Sequence, residues 1–288
     1  MKIVILGSSG SVPTKDRNLP SIALCLSGEI ILFDCGEGTQ RQLMKYNLNP
    51  SKISKIFLSH LHLDHCLGVY GILETMNLIN KDKKVVLFGP LGTKKMFQKY
   101  TNADIHEVNS KKIILKEKNY SFSSFKLKHN IPMCLGFVFK ENNKIKFYEN
   151  KAKAKGIIGP LFKEIEKKSK IKINNKLINL SDISYELKGK KIVYVSDTLP
   201  LKSTINNSKQ ADLLIHDSTY LSSLTAEAAK NYHSTAKQAA QIAKTAGVKQ
   251  LLLFHISQRH KESKDLEYEA RKIFKNSNCA RDGMIVEI

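Results

Sequence analysis

Short apolar blocks punctuated by turn residues run along the first half of this chain, and their lengths and spacings predict a mixture of strands and helices. Lys2–Leu6, Ile22–Ser27 and Ile30–Asp34 read as strands, the last two joined by a tight turn at Ser27-Gly28-Glu29. A helix is expected from Thr39 through Arg41, Leu43 and Met44 to about Tyr46, where Asn47 and Pro50 end it. The apolar run Ile53 to Leu58 reads as a buried strand. Over residues 67–80, Leu67, Tyr70, Leu73, Met76 and Leu78 recur at near-helical spacing, and Gly68 and Gly71 permit close packing. Val85–Phe88 is a further strand, followed by Gly89-Pro90 and a helix over Thr93–Tyr100. Strand-rich segments follow, including Gly136–Lys140 and Ile145–Tyr148 around the turn residues Asn142-Asn143.

The second half repeats this logic. Lys191–Val195 runs into Ser196-Asp197-Thr198, Asp212–Ile215 into His216-Asp217-Ser218-Thr219, and Gln250–Phe254 into His255-Ile256-Ser257. A helix capped by Ser234 is expected from Thr235 to Ala246, closed by Gly247. Two halves of similar construction, with polar groups at the strand ends, predict an α/β protein: two sheets stacked between helices as an αββα sandwich, with one shared site at their edge. No linker separates independent domains, so residues 1–288 read as a single domain.

The chain of 288 residues is 42% hydrophobic and 8% aromatic, ordinary for a globular protein. The N-terminal apolar run is too short for a signal peptide, and no run approaches the length needed to span a bilayer. Five scattered cysteines without C-x-x-C spacing read as reduced thiols of a cytoplasmic protein, with Cys25 and Cys35 at core positions and Cys66, beside a His-rich segment, as a further candidate ligand. The net charge of +21 changes the picture more. Compositional bias accounts for lysine replacing arginine, but less well for the shortage of acids; a surplus this large favours a polyanionic partner such as nucleic acid. The charge concentrates at residues 151–176, where nine Lys meet two Glu. That stretch is expected to be a solvated basic arm with little buried apolar area, in which Leu161, Phe162 and Ile165 support a short helix and whose cations can lie along phosphates.

The most specific chemistry is Ser59-His60-Leu61-His62-Leu63-Asp64-His65. Three imidazoles and a carboxylate within six positions leave the end of a buried strand and enter a turn, where they can converge. Neutral imidazole suits zinc and its neighbours, and a carboxylate chelates or bridges, so the segment reads as a metal site rather than a polar loop. These four residues alone do not fill two metal sites. Further candidates at strand ends are His129, Asp197 and His255, and a carboxylate at Asp197 can bridge two metals about 3.5–4 Å apart. Taken singly, His129 also reads as a surface imidazole and His255 as a hydrogen-bonded core histidine.

H-x-H-x-D-H followed by His129, Asp197 and His255 resembles the metallo-β-lactamase fold in its two-metal hydrolase form. Phe33-Asp34-Cys35-Gly36-Glu37-Gly38-Thr39-Gln40-Arg41-Gln42 resembles the D-C-G-E-G-T-Q-R-Q run of the tRNase Z (ribonuclease Z) family in its short form. Leu6 to Pro13 with Arg17-Asn18, His233-Ser234-Thr235 and Gly159-Pro160-Leu161 are similar to that family as well. The resemblance implies a zinc-dependent endoribonuclease, usually a homodimer, that removes the 3′ trailer of precursor tRNA and leaves a 3′-hydroxyl on the tRNA and a 5′-phosphate on the trailer. It implies two Zn2+ ions, with Mn2+ or another divalent metal as substitutes. One would be held by His60, His62, His129 and Asp197, the other by Asp64, His65, His255 and the bridging Asp197. Asp64 would be the general base and His233 the proton donor at the leaving oxygen. His216-Asp217-Ser218-Thr219 departs from the family's His-Glu-Ala-Thr, leaving Asp217 one methylene short, and Gly156 to Pro160 replaces a proline-richer run. Two rivals stand beside this reading: a hydrolase of small phosphodiesters on the same fold, and a non-enzymatic RNA-binding module.

Overall fold

The computed structural model describes residues 1–79, 84–110 and 113–288. Two seven-stranded sheets carry the fold. The first runs in the order Ile285–Glu287, Lys2–Gly7, Ser21–Leu26, Glu29–Cys35, Ile53–Phe57, Val85–Gly89 and Ala103–Glu107. The second runs Ser277–Cys279, Gln250–Phe254, Leu213–Asp217, Lys191–Val195, Cys134–Glu141, Tyr120–Leu127 and Leu115–Lys116. Both sheets contain a parallel block, from Glu29–Cys35 to Ala103–Glu107 in the first and from Lys191–Val195 to Ser277–Cys279 in the second. The inner strands of these blocks are covered on both faces, which is why they are nearly continuous apolar runs in sequence, whereas the edge strand Ala103–Glu107 is largely exposed.

Alternation along the strands sorts these side chains into two layers. Ile3, Ile5, Ile31 and Phe33 from the first sheet meet Phe137, Tyr194, Ile215 and Phe254 from the second in one central cluster. Val4, Leu6, Ile30 and Leu32 point the other way and pack with Leu43, Val69, Ile72, Leu73 and Phe97, supplied by the helices Thr39–Lys45, Gly68–Leu78 and Thr93–Phe97. On the far face of the second sheet, Val193, Val195, Leu214 and Leu253 pack against alanines of the helix Ala236–Ala246 and against Leu266 and Ala270 of Lys264–Arg271. The αββα sandwich expected from the sequence is therefore present. Gly68 is forced by this packing: a Cβ there would lie 2.0 Å from the Gly36 carbonyl oxygen.

Several details differ from expectation. The helix predicted over 67–80 is preceded by a separate turn of helix, Leu63–Cys66, and then runs Gly68–Leu78; its predicted end at Asn80 lies outside the described residues. The helix after Ser234 is capped by Thr235, not Ser234. Thr235 accepts the Gln238 amide hydrogen while Gln238 returns a bond to the Thr235 amide, a capping box. Cys35 is buried as expected, whereas Cys25 is only partly so.

The chain divides into two compact units, Met1–Phe139 with Lys191–Ile288, and Lys140–Lys190. The basic segment 151–176, expected to bury little, belongs to the smaller unit, which has a core of its own. Ala152, Ile157, Ile165, Ile171, Ile178 and Ile183 cluster among two antiparallel strand pairs, Lys144–Phe147 with Ser184–Leu187 and Lys170–Ile173 with Lys176–Asn179, and the short helices of the same unit. Four of these apolar residues lie within the lysine-rich stretch and Ile178 and Ile183 follow it, so its composition understated the burial. The expected short helix is there, at Leu161–Lys168. Among the described residues no helix is long and apolar enough to cross a membrane.

Phe57 is the packing centre between the sheets, with ring centroids 4.8 Å from Phe88, 4.2 Å from Phe122 and 5.3 Å from Phe137. Phe57→Ala is expected to destabilise the fold by about 3–5 kcal/mol, read as a shift in the urea midpoint. A loss below about 1 kcal/mol would contradict this packing.

Candidate metal centre and active-site pocket

The parallel strands of both sheets deliver their following loops to one edge, and there the candidate residues meet. His60 and His62 follow the strand Ile53–Phe57, while Asp64 and His65 ride on the helical turn Leu63–Cys66. His129 follows Tyr120–Leu127, Asp197 follows Lys191–Val195 and His255 follows Gln250–Phe254. His60, His62, His129 and Asp197 form one compact donor group, and Asp64, His65 and His255 another. His129 is not a surface imidazole, since its side chain is 5% exposed.

The distances describe two cages sharing a wall. In the first, His62 Nδ1 lies 3.0 Å from His60 Nε2 and 3.3 Å from His129 Nε2, while Asp197 Oδ2 lies 3.9 and 3.7 Å from those two Nε2 atoms. In the second, His65 Nε2 lies 3.3 Å from His255 Nε2, 3.4 Å from Asp64 Oδ2 and 3.5 Å from Asp197 Oδ1. His255 Nε2 is 3.8 Å from Asp64 Oδ2 and 3.2 Å from Asp197 Oδ1. Tetrahedral bonds of about 2.0–2.1 Å imply edges of about 3.3–3.4 Å, close to these values. Asp197 turns one oxygen toward each cage.

The opposite sides of the rings are tied down. Asp34, a buried carboxylate, accepts a bond from His65 Nδ1 at 2.8 Å, and also from the Ser59 and Tyr194 hydroxyls and the Ser59 amide. Ser59 Oγ, donating to Asp34, accepts from His60 Nδ1 at 2.9 Å. His129 Nδ1 donates to the Tyr232 carbonyl at 3.2 Å, and His255 Nδ1 donates to Thr219 Oγ1 at 2.9 Å. In each of these four rings Nδ1 carries a proton and Nε2 faces the cage. At His65 the Asp197, Asp64 and Asp34 carboxylates override burial and raise the ring well above its ordinary range, so a metal bound there would take the place of its second proton. Burial, followed by the neighbouring His65, pushes the His60 imidazole well below its ordinary range, and burial lowers His129 too. Neutral rings are what a metal requires. His62 Nδ1 faces the Nε2 atoms of both His60 and His129, and one proton cannot serve both, so the donor set fits divalent metal. Cys66 does not join it: its thiol contacts Met96 Sδ at 3.8 Å, and burial pushes it up to about 12.

His233 lies beside the cages. Its Nδ1 donates to Asp217 Oδ2 at 3.0 Å. The shortened carboxylate at position 217 therefore still reaches its partner, and it is held by the Thr198, Thr219 and Ser234 amides. Burial alone would lower the His233 imidazole; the Asp217 carboxylate overrides that and raises it to about 9. The cages open into a pocket of about 470 Å³ whose walls include Gly10, Ser11, His62, Asp64, Asn130, Lys230, His233 and Arg259. Sequence reasoning did not assign Asp34, Ser59, Thr219, Lys230 or Arg259. Asp34 stood inside a quoted motif and Thr219 in a strand-end run, but their partners come from distant segments.

Known structures share this architecture. Human tRNase Z, short form, matches with a TM-score of 0.73 and 25% identity, covering 100% of this chain and 99% of that one. The metallo-beta-lactamase fold protein YhfI from Bacillus subtilis matches with a TM-score of 0.75 at 19% identity, covering 100% of this chain and 99% of that one. Fold and site define a metal-binding hydrolase of the metallo-β-lactamase fold. A family model described as Anti-Pycsar protein Apyc1 matches residues 1–277. Ribonuclease Z of Thermococcus sibiricus is 43% identical over 285 residues, 95% of this chain and 91% of that protein. Ribonuclease Z of Chlamydia muridarum is 37% identical over 289 residues, 97% of this chain and 95% of that protein. The chain belongs to the family of that model and to the ribonuclease Z family, and it is an RNA-cleaving enzyme.

The raised His233 pKa fixes a sign. Its stabilising contribution is complete below the ordinary value of 6.5 and is lost as pH rises through about 9. The difference in melting temperature between wild type and His233→Gln is expected to shrink across that window; a constant difference would contradict the ion pair.

Proposed function

We propose that the protein is a zinc-dependent endoribonuclease that removes the 3′ trailer from precursor tRNA. The observation that carries this reading is the division of Asp197 between two histidine cages beside a protonated His233. His60, His62 and His129 with Asp197 Oδ2 would hold one Zn2+, and His65, His255 and Asp64 with Asp197 Oδ1 the other; Mn2+ satisfies the same donors. Bound there, two divalent cations would lower the pKa of an attacking water and offset the charge of the phosphodiester.

The chain's own groups do the rest. Asp64 Oδ2 faces His65 and His255 and is held by the Ser11 amide at 3.1 Å, leaving Oδ1 to take the proton of the water. His233, with Nδ1 committed to Asp217, has Nε2 to give a proton to the departing 3′ oxygen, a contribution of about 10²–10⁴-fold. As the water oxygen bonds to phosphorus, the bond from phosphorus to the 3′ oxygen breaks. The tRNA keeps a 3′-hydroxyl and the trailer a 5′-phosphate. Lys230 and Arg259 at the pocket wall suit the phosphates flanking the cut. The unit Lys140–Lys190, with fourteen Lys against six acidic residues, suits the backbone of the tRNA body, which is read by shape. A homodimer in the cytoplasm belongs to the same proposal, and the five free thiols fit a reducing compartment.

The test is incubation of purified protein with end-labelled precursor tRNA carrying a 3′ trailer, alongside Asp64→Ala and a chelator control. Expected is one cut next to the tRNA body, lost with chelator and reduced at least 10³-fold by Asp64→Ala. Turnover of a small phosphodiester with no cut in the tRNA would replace this substrate with the rival one.

A further inference from the structure

We infer that Thr219 is a positioning residue that couples the second cage to the proton donor through a single hydroxyl; the inference rests on the two-cage reading above. Thr219 Oγ1 lies 2.9 Å from His255 Nδ1, 2.7 Å from Asp217 Oδ1 and 3.0 Å from the His255 carbonyl oxygen. It has one hydrogen, and both of its hydrogen-accepting neighbours are oxygens, so the hydroxyl donates to Asp217 or to the carbonyl and accepts from His255 Nδ1 in either case. Asp217, through its other oxygen, accepts from His233 Nδ1. With the hydrogen on Asp217, the nearer acceptor, the bonds run from a ring of the second cage, through hydroxyl and carboxylate, to His233, whose Nδ1 also lies 3.3 Å from the Thr219 hydroxyl itself.

The His255 ring needs that hold. Its backbone adopts φ +59, a left-handed conformation that costs a non-glycine residue energy and persists only where surroundings impose it. The ring stacks on His233 with centroids 5.1 Å apart. Gly10 clears the space beside it, since a Cβ there would lie 2.6 Å from the imidazole. Of the polar contacts His255 makes on the side away from the cage, the hydroxyl is the one that determines which nitrogen carries the proton. Remove it and His255 is free to place its proton on Nε2, which blocks the lone pair the cage requires.

Thr219→Val keeps the shape and removes the hydroxyl; Thr219→Ser keeps the hydroxyl and removes a methyl. A packing role favours valine, and the positioning role favours serine. The experiment measures Zn2+ affinity at each of the two sites by chelator competition, together with kcat and KM on precursor tRNA at saturating Zn2+ and the melting temperature of each variant. In Thr219→Val we expect one of the two equivalents, that of the second cage, to lose about 10–100-fold in affinity and the other to change little. At saturating metal kcat should stay depressed with KM little changed, because His233 remains misaligned. Thr219→Ser should restore both. Valine matching wild type, or serine doing worse than valine, would overturn the inference while leaving the two-metal reading intact. Failure of the wild type to bind two equivalents would instead remove the reading on which it rests.

Discussion

One buried carboxylate organises this molecule. Asp197 stands at the end of a parallel strand with an oxygen turned to each of two imidazole groups, and the rest of the fold can be read as the means of bringing five histidines and Asp64 to it. A charge this deeply buried is costly unless other groups satisfy it. Here the partners arrive from both sheets, so neither sheet makes a site alone. The inter-sheet core around Phe33, Phe57, Phe137 and Tyr194 is therefore a functional requirement as well as a source of stability.

Behind the cages lies a layer of carboxylate, hydroxyl and carbonyl acceptors. Asp34, Ser59, Tyr232 and Thr219 each hold an Nδ1 proton and so point Nε2 inward. Asp217 uses the same chemistry for the opposite end, keeping His233 protonated near neutral pH. One type of interaction, an imidazole donating to a buried acceptor, gives two outcomes. Where the acceptor is uncharged, at His60 and His129, burial lowers the ring; where carboxylates crowd the ring, at His65 and His233, their charge outweighs the cost of burying it.

Much of this was legible in the sequence. The density of His60, His62, Asp64 and His65 admits few uses, and strand ends followed by polar groups located His129, Asp197 and His255. The supporting layer was harder to read, because Thr219 acquires its meaning only when the strand Leu213–Asp217 is placed beside Gln250–Phe254. Segment 140–190 shows the other limit. Its lysines hid six buried apolar positions spread from Ala152 to Ile183, although the alternation Lys170-Ile171-Lys172-Ile173 signalled a strand. The choice of Thr235 over Ser234 as helix cap was open to sequence too, since Gln238 stands three residues after Thr235. No motif announced Lys230, at the end of the short helix Thr225–Lys230, or Arg259, in the turn after Ile256–Ser257.

The most direct test of the shared-carboxylate account is the number of divalent metal ions bound per chain, measured on wild type and on Asp197→Ala. The account predicts two equivalents in wild type and marked weakening of both in the variant. A single equivalent in wild type, or loss of only one in Asp197→Ala, would contradict it.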